Sequence, residues 1–105
     1  MNPIHQNRKA LGPTEIVTQL TQLNGESANG WKLIDGALEK HWKFANFHET
    51  MAFVNAVAFI AHRQDHHPEL VVTWGQCIVR FNTHDVGGIS DTDFDCAAQV
   101  DALLA

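Results

Sequence analysis

Tyrosine is absent from the chain, and cysteine occurs only at Cys77 and Cys96. Two such thiols make neither a disulfide framework nor a paired-cysteine metal knuckle. They read as partly buried thiols in a reducing compartment. Basic residues are scarce too: 7 Lys and Arg against 12 Asp and Glu leave a formal net charge of −5. Without clustered basic residues, neither a nucleic-acid backbone nor an anionic membrane surface is an expected partner. The longest apolar stretch, around residues 51–61, is interrupted by Asn55 and is too short to span a bilayer. Residues 1–12 are polar and lack an apolar signal core, so the expected location is cytoplasmic.

What remains is a chain of 105 residues with 45% hydrophobic content, enough for one compact domain and too short for two. Residues 1–12 read as a flexible leader and 13–105 as that single domain. The unusual abundance is histidine, with seven residues. Histidine titrates near neutral pH, so chemistry is sought there first.

Pro13 suits the first turn of a helix and Glu15 its positive end. Ile16, Leu20 and Leu23 follow at helical spacing, with Val17 widening the stripe, and Asn24-Gly25 ends it. From Trp31 the period changes to two. Trp31 and Leu33 share one face, Asp35-Gly36 makes a tight turn, and Leu38, Lys40, Trp42 and Phe44 return opposite Glu39, His41 and Lys43. Asn46 and Glu49 have capping-box spacing and open the longest helix, which runs to about Gln64. Its stripe is Phe53, Val54, Val57, Ile60 and Ala61, with Met51 and Ala58 beside it, and Asp65-His66-His67-Pro68 stops it.

A second hairpin follows, from Leu70 to Trp74 and from Cys77 to Thr83, with Cys77, Val79 and Phe81 on one face. Ser90 and Asp93 cap a last helix carrying Phe94, Ala97, Ala98, Val100, Ala102 and Leu104. The predicted fold is α+β in the order α-β-β-α-β-β-α: three helices packed on one face of a four-stranded antiparallel sheet. Two sheet edges remain, and pairing of one of them with a second copy predicts a homo-oligomer.

His5 carries no signal, and His41 and His48 read as solvent-facing. His62, His66, His67 and His84 gather where the long helix and the last strand end. Three readings stay open for that cluster: capping and surface histidines, a metal site, or a metal-free acid–base pocket. His62 and His66 have i, i+4 spacing for a metal, but no HExxH accompanies them and Asp65 is the nearest further ligand. Imidazoles with ordinary pKa values give and take protons at neutral pH without tuning. Trp74 and Phe81 would supply an aromatic wall, although core packing accounts for them as well.

The spaced constellation His62, His66-His67-Pro68, Trp74, His84 and Asp93 resembles the pterin-4a-carbinolamine dehydratase family. Gly30-Trp31, Asn82-Thr83-His84 and Gly87-Gly88-Ile89-Ser90 agree with it, and the likeness runs from about Pro13 to Leu104. The resemblance implies the same fold, assembly into homodimers or homotetramers, and no metal or bound organic cofactor. It implies a hydro-lyase that converts 4a-hydroxytetrahydropterin to quinonoid dihydropterin and so recycles the cofactor of aromatic amino acid hydroxylases. It places His66, His67 and His84 in the catalytic site, with Asp65, Pro68, Trp74, Thr83 and Asp93 binding substrate or supporting it. His67 and His84 would trade protons while His66 positions the substrate. Two positions depart from the family pattern: Leu70 stands where many animal members have tryptophan, and His62 where glutamate is frequent. Neither residue carries over the transcription-coactivator role of some animal members. The competing expectation is a catalytically silent, oligomeric protein-binding module on the same fold.

Overall fold

The structure is a computed structural model that describes residues 8–105. Most of the expected leader, residues 1–7, lies outside the described residues. The residues that follow run along the domain: Arg8 Nη2 donates to the Asp65 carbonyl at 3.0 Å, and the Leu11 amide donates to the Ile89 carbonyl at 2.8 Å.

Helix α1 (Pro13–Asn24) starts at Gly12, whose amide donates to Glu15 Oε1 at 3.0 Å. Its last residue, Asn24, brackets Trp31: the Trp31 amide donates to Asn24 Oδ1 at 2.7 Å, and Asn24 Nδ2 donates to the Trp31 carbonyl at 2.8 Å. Gly30 makes this possible, because a Cβ there would stand 2.2 Å from Asn24 Oδ1. Strands β1 (Lys32–Ile34) and β2 (Ala37–Lys43) are joined by Asp35 and Gly36, both with positive φ (49° and 78°), as a tight hairpin turn requires.

Helix α2 (Phe47–Gln64) is capped by Asn46, whose Oδ1 accepts from the Glu49 amide at 2.9 Å. It ends at Gln64, as expected. Asp65 is already left-handed (φ 51°), and the His66 amide donates back to the Ala61 carbonyl at 3.0 Å. Strands β3 (Glu69–Val72) and β4 (Gln76–Phe81) are shorter than the spacing predicts. Trp74 therefore falls in the turn between them, and Thr83 leaves the sheet to bridge Gly88. Ser90 and Asp93 form the expected capping box of α3 (Asp91–Ala102).

The sheet order is β1-β2-β4-β3, with every neighbour antiparallel. Side chains alternate across it. Leu38, Cys77, Val79 and Phe81 face the helices and are fully buried, packed with Phe53, Val57, Ile60, Phe94 and Val100. Trp31 sits 5.5 Å from Trp42 and 5.9 Å from Phe81 by ring centroids, and its Nε1 donates to Asp101 Oδ1 at 3.0 Å. Glu39, His41, Ile78, Arg80 and Glu69 occupy the other face of the sheet, by the same alternation.

Several apolar expectations are corrected; Ala58 of α2 and Ala102 at the end of α3 are exposed. Val17 is 64% exposed because α1 packs against α3 and presents only a narrow stripe. Ala98 is exposed on the outer side of α3, and Leu104 lies beyond the end of that helix, 57% exposed. Cys96 is the buried residue of α3 that the apolar stripe omitted. Among the described residues, no helix is long and apolar enough to cross a membrane.

Candidate functional site

The end of α2 and the end of β4 converge as the spacing predicts, and the four histidines divide between interior and surface. His66 and His67 lie in the irregular segment between α2 and β3. His66 is buried at 7% exposure, while His67 is exposed.

His66 turns inward onto Asp93, which is fully buried in the first turn of α3. His66 Nε2 lies 2.5 Å from Asp93 Oδ1. A carboxylate accepts, so the ring nitrogen is the donor of this contact. The second carboxylate oxygen, Oδ2, accepts from Thr83 Oγ1 at 2.7 Å and from the Ser90 amide at 2.9 Å. Thr83 and Ser90 hydroxyls are themselves 2.7 Å apart. Asp93 thus caps α3 and holds His66 at the same time, a double use of one carboxylate at a helix N-terminus that favours negative charge. Phe81 stacks on the His66 ring at 6.0 Å and 13°, which assigns Phe81 to the core rather than to an open aromatic wall.

His84 opens a single 3-10 turn, His84–Val86, directly after the buried Thr83. The turn is closed by the Gly87 amide donating to the His84 carbonyl at 3.1 Å and the Thr83 amide donating to the Gly88 carbonyl at 2.8 Å. Gly87 is left-handed (φ 67°), a geometry that favours glycine. His84 itself is exposed.

Two hollows meet at His67. One, of about 420 Å³, is lined by Ala37, His67, Pro68, Glu69, Arg80, Asn82 and His84. The other, about 400 Å³, lies on the helix side and is lined by Ala58, Ala61, His62, Asp65, His66, His67, Pro68 and Leu70. The first pairs two exposed imidazoles, which is the arrangement acid–base chemistry needs. A larger groove of about 560 Å³ along β1 and β2 carries His41 among Lys32, Lys40 and Lys43, with no second imidazole. Among the described residues, no group of three His, Cys, Asp or Glu side chains is arranged to hold a metal ion.

His66, His67, His84, Asp65, Pro68, Thr83 and Asp93 are therefore brought together. Trp74 is not. It sits 65% exposed in the β3–β4 turn, at the opposite end of that hairpin from Glu69 and Arg80, and lines neither hollow. Its carbonyl accepts from the Thr50 hydroxyl at 2.9 Å, a contact of the turn with α2. Sequence reasoning missed Arg80 and Glu69, whose only signal is charge alternation on a strand face.

The burial of Cys77 pushes its thiol pKa up, and burial together with Asp93 and Asp95 pushes Cys96 up to about 12. Both thiols stay protonated and take no part in the site. Glu39 is held below the usual carboxylate range by its hydrogen bonds to His41 and Arg80.

Comparison with known proteins places the chain among relatives. The family described as Pterin 4 alpha carbinolamine dehydratase matches residues 9–103. A protein of Paracidovorax citrulli named "Putative pterin-4-alpha-carbinolamine dehydratase" is 59% identical over 101 residues, covering 93% of this chain and 84% of its own. The crystal structure of a transcriptional coactivator/pterin dehydratase from Brucella melitensis superposes with a TM-score of 0.83 at 26% identity, covering 92% of this chain and all of that one. A pterin dehydratase-like protein identified as a RuBisCO assembly factor in the alpha-carboxysome shares the fold, with a TM-score of 0.61 at 23% identity over 72% of this chain and 90% of its own. On the family match and the identity to its relatives, this chain belongs to the pterin 4 alpha carbinolamine dehydratase family.

Proposed function

We propose that this protein dehydrates 4a-hydroxytetrahydropterin to quinonoid dihydropterin, and so recycles the pterin cofactor of aromatic amino acid hydroxylases. The observation that carries the reading is the pair of exposed imidazoles, His67 and His84, lining one hollow beside an anchored third, His66. In the reaction the C4a–O bond breaks, the N5–H bond breaks and a C4a=N5 double bond forms. One imidazolium gives its proton to the departing hydroxyl, which leaves as water. The other, neutral imidazole takes the N5 proton. Nitrogen pushes the hydroxyl out, so the barrier is modest, and positioned acid–base groups of this kind contribute about 10²–10⁴-fold.

His66 has a different duty. Its Nε2 is committed to Asp93, so it positions the ring system of the substrate rather than cycling protons. Asp65, Pro68 and Thr83 shape the backbone that carries the three histidines. The chemistry calls on no metal and no organic cofactor. The short edges β1 and β3 leave room for pairing between copies, and we expect a homodimer or homotetramer. Two buried free thiols suit a reducing cytoplasm.

Stopped-flow measurement on freshly generated 4a-hydroxytetrahydropterin tests this reading. Wild type should accelerate dehydration, and His67→Ala and His84→Ala should each lower turnover at least about tenfold while remaining folded. Full activity in both variants removes the mechanism. A second reading, a catalytically silent protein-binding module, is favoured by the fold shared with the RuBisCO assembly factor. No acceleration by wild type, together with recovery of a stoichiometric protein partner, would put that reading first.

A further inference from the structure

The geometry points to Arg80 as a positioning residue of this site: by holding Glu39 and Glu69 at once, it sets the spacing between His67 and His84. Its effect on turnover rests on the acid–base reading above, whereas its effect on side-chain geometry does not.

Glu39 of β2, Arg80 of β4 and Glu69 of β3 are direct cross-strand partners and form one row on the sheet face away from the helices. Arg80 Nε donates to Glu69 Oε1 at 3.0 Å, and Arg80 Nη1 donates to Glu39 Oε1. The other oxygen of Glu39 is 2.7 Å from His41 Nε2. Glu69↔Arg80 is also the last rung of the β3–β4 ladder before the two chains diverge, one towards His67 and the other towards His84. Beyond that rung no backbone pair between β3 and β4 ties the two segments.

The lever arms are short. Only Pro68, with its fixed φ, separates Glu69 from His67. On the other strand Arg80 leads through Phe81 and Asn82 to Thr83, which Asp93 anchors from the helix side. Arg80, Glu69, His67 and His84 line the same hollow. A guanidinium fork holds two carboxylates in different directions, and a lysine ammonium lacks that planar geometry. Glu69 is 67% exposed, and a pair with one partner largely in solvent adds little to folding. The row therefore acts on geometry. A small displacement of a reacting group is costly, since about 1 Å lowers rate on the order of a hundredfold.

The test joins kinetics to spectroscopy. Arg80→Lys, Glu69→Ala and Glu69→Gln are measured for kcat and KM on 4a-hydroxytetrahydropterin, with ring-proton NMR of the histidines recorded on each. Arg80→Lys should lower kcat about tenfold or more with KM little changed, and should shift the His67 and His84 ring signals while leaving His48 in place. Glu69→Ala should reproduce part of the loss, and Glu69→Gln, which keeps an acceptor, should recover it. Unmoved His67 and His84 signals in a folded Arg80→Lys overturn the proposal. A rise in KM alone also overturns it, because Arg80 would then be a substrate contact. Should wild type show no turnover, the acid–base reading falls, and the ring signals still decide the role of Arg80.

Discussion

Asp93 and His66 are bonded at 2.5 Å in the interior, and the same carboxylate binds Thr83 at 2.7 Å. His66 precedes His67 and Thr83 precedes His84, so one buried aspartate fastens the chain neighbour of each exposed imidazole. Removing it loosens both exposed imidazoles at once. Asp93→Ala leaves several buried donors without an acceptor, and at about 1–3 kcal/mol for each unsatisfied group it should destabilise the fold by roughly 3 kcal/mol or more. Asp93→Asn keeps the shape but can no longer hold the His66 ring as a pure acceptor. It should cost less stability and still lower kcat about tenfold or more. Urea unfolding and stopped-flow kinetics on the two variants separate these effects.

The charge row on the open face should announce itself in acid. The folded pKa of Glu39 lies below the ordinary carboxylate value of 4.5, so its contribution is present above that pH and is lost as pH falls through the lower, folded value. Wild type should exceed Glu39→Gln in urea midpoint at neutral pH, and the gap should close below about pH 4.5. Parallel midpoint–pH curves for the two proteins would contradict this.

Cysteine chemistry should be silent until the chain unfolds. Cys77 and Cys96 are fully buried with raised pKa values, Cys96 pushed up to about 12 from an ordinary 9.0. Iodoacetamide at neutral pH should leave both unlabelled in the folded protein and modify both in denaturant, as mass spectrometry would read. Because a raised thiol pKa favours the folded state only while the thiol is protonated, stability should fall as pH rises from 9 towards 12.

Trp31 makes the largest single demand on the core. It is 1% exposed, touches Trp42 and Phe81, and donates to Asp101. Trp31→Ala should cost about 3–5 kcal/mol by cavity formation. A midpoint near wild type in urea would mean that the surrounding side chains collapse into the space.

Much of this architecture is legible from residue type alone. Asp35-Gly36, Asn46 with Glu49, and Ser90 with Asp93 each specify a local backbone geometry, and each is found as read. The period-two pattern of Cys77, Val79 and Phe81 likewise identifies the buried face of β4. What stays hidden depends on which element lies beside which. Val17 is apolar yet open because α1 rests on α3, and Thr50 is polar yet buried because its hydroxyl reaches the Asn46 and Trp74 carbonyls. The opposite fates of His66, buried against Asp93, and His67, exposed, depend on where α3 lies beside the end of α2, which the helical pattern before them does not announce. The Glu39–Arg80–Glu69 row needs the sheet order, since β2 and β4 are neighbours in space and not in sequence.

The split between an anchored ring and two exposed ones bears on how such a protein evolves. Among the described residues, the His67 and His84 side chains are exposed and hold no core group, so either imidazole can be lost from a chain that still folds. His66 and Asp93 have no such freedom, because their replacement breaks the interior first. Relatives in which the exposed residues have drifted should therefore still keep the buried pair, because the interior depends on it.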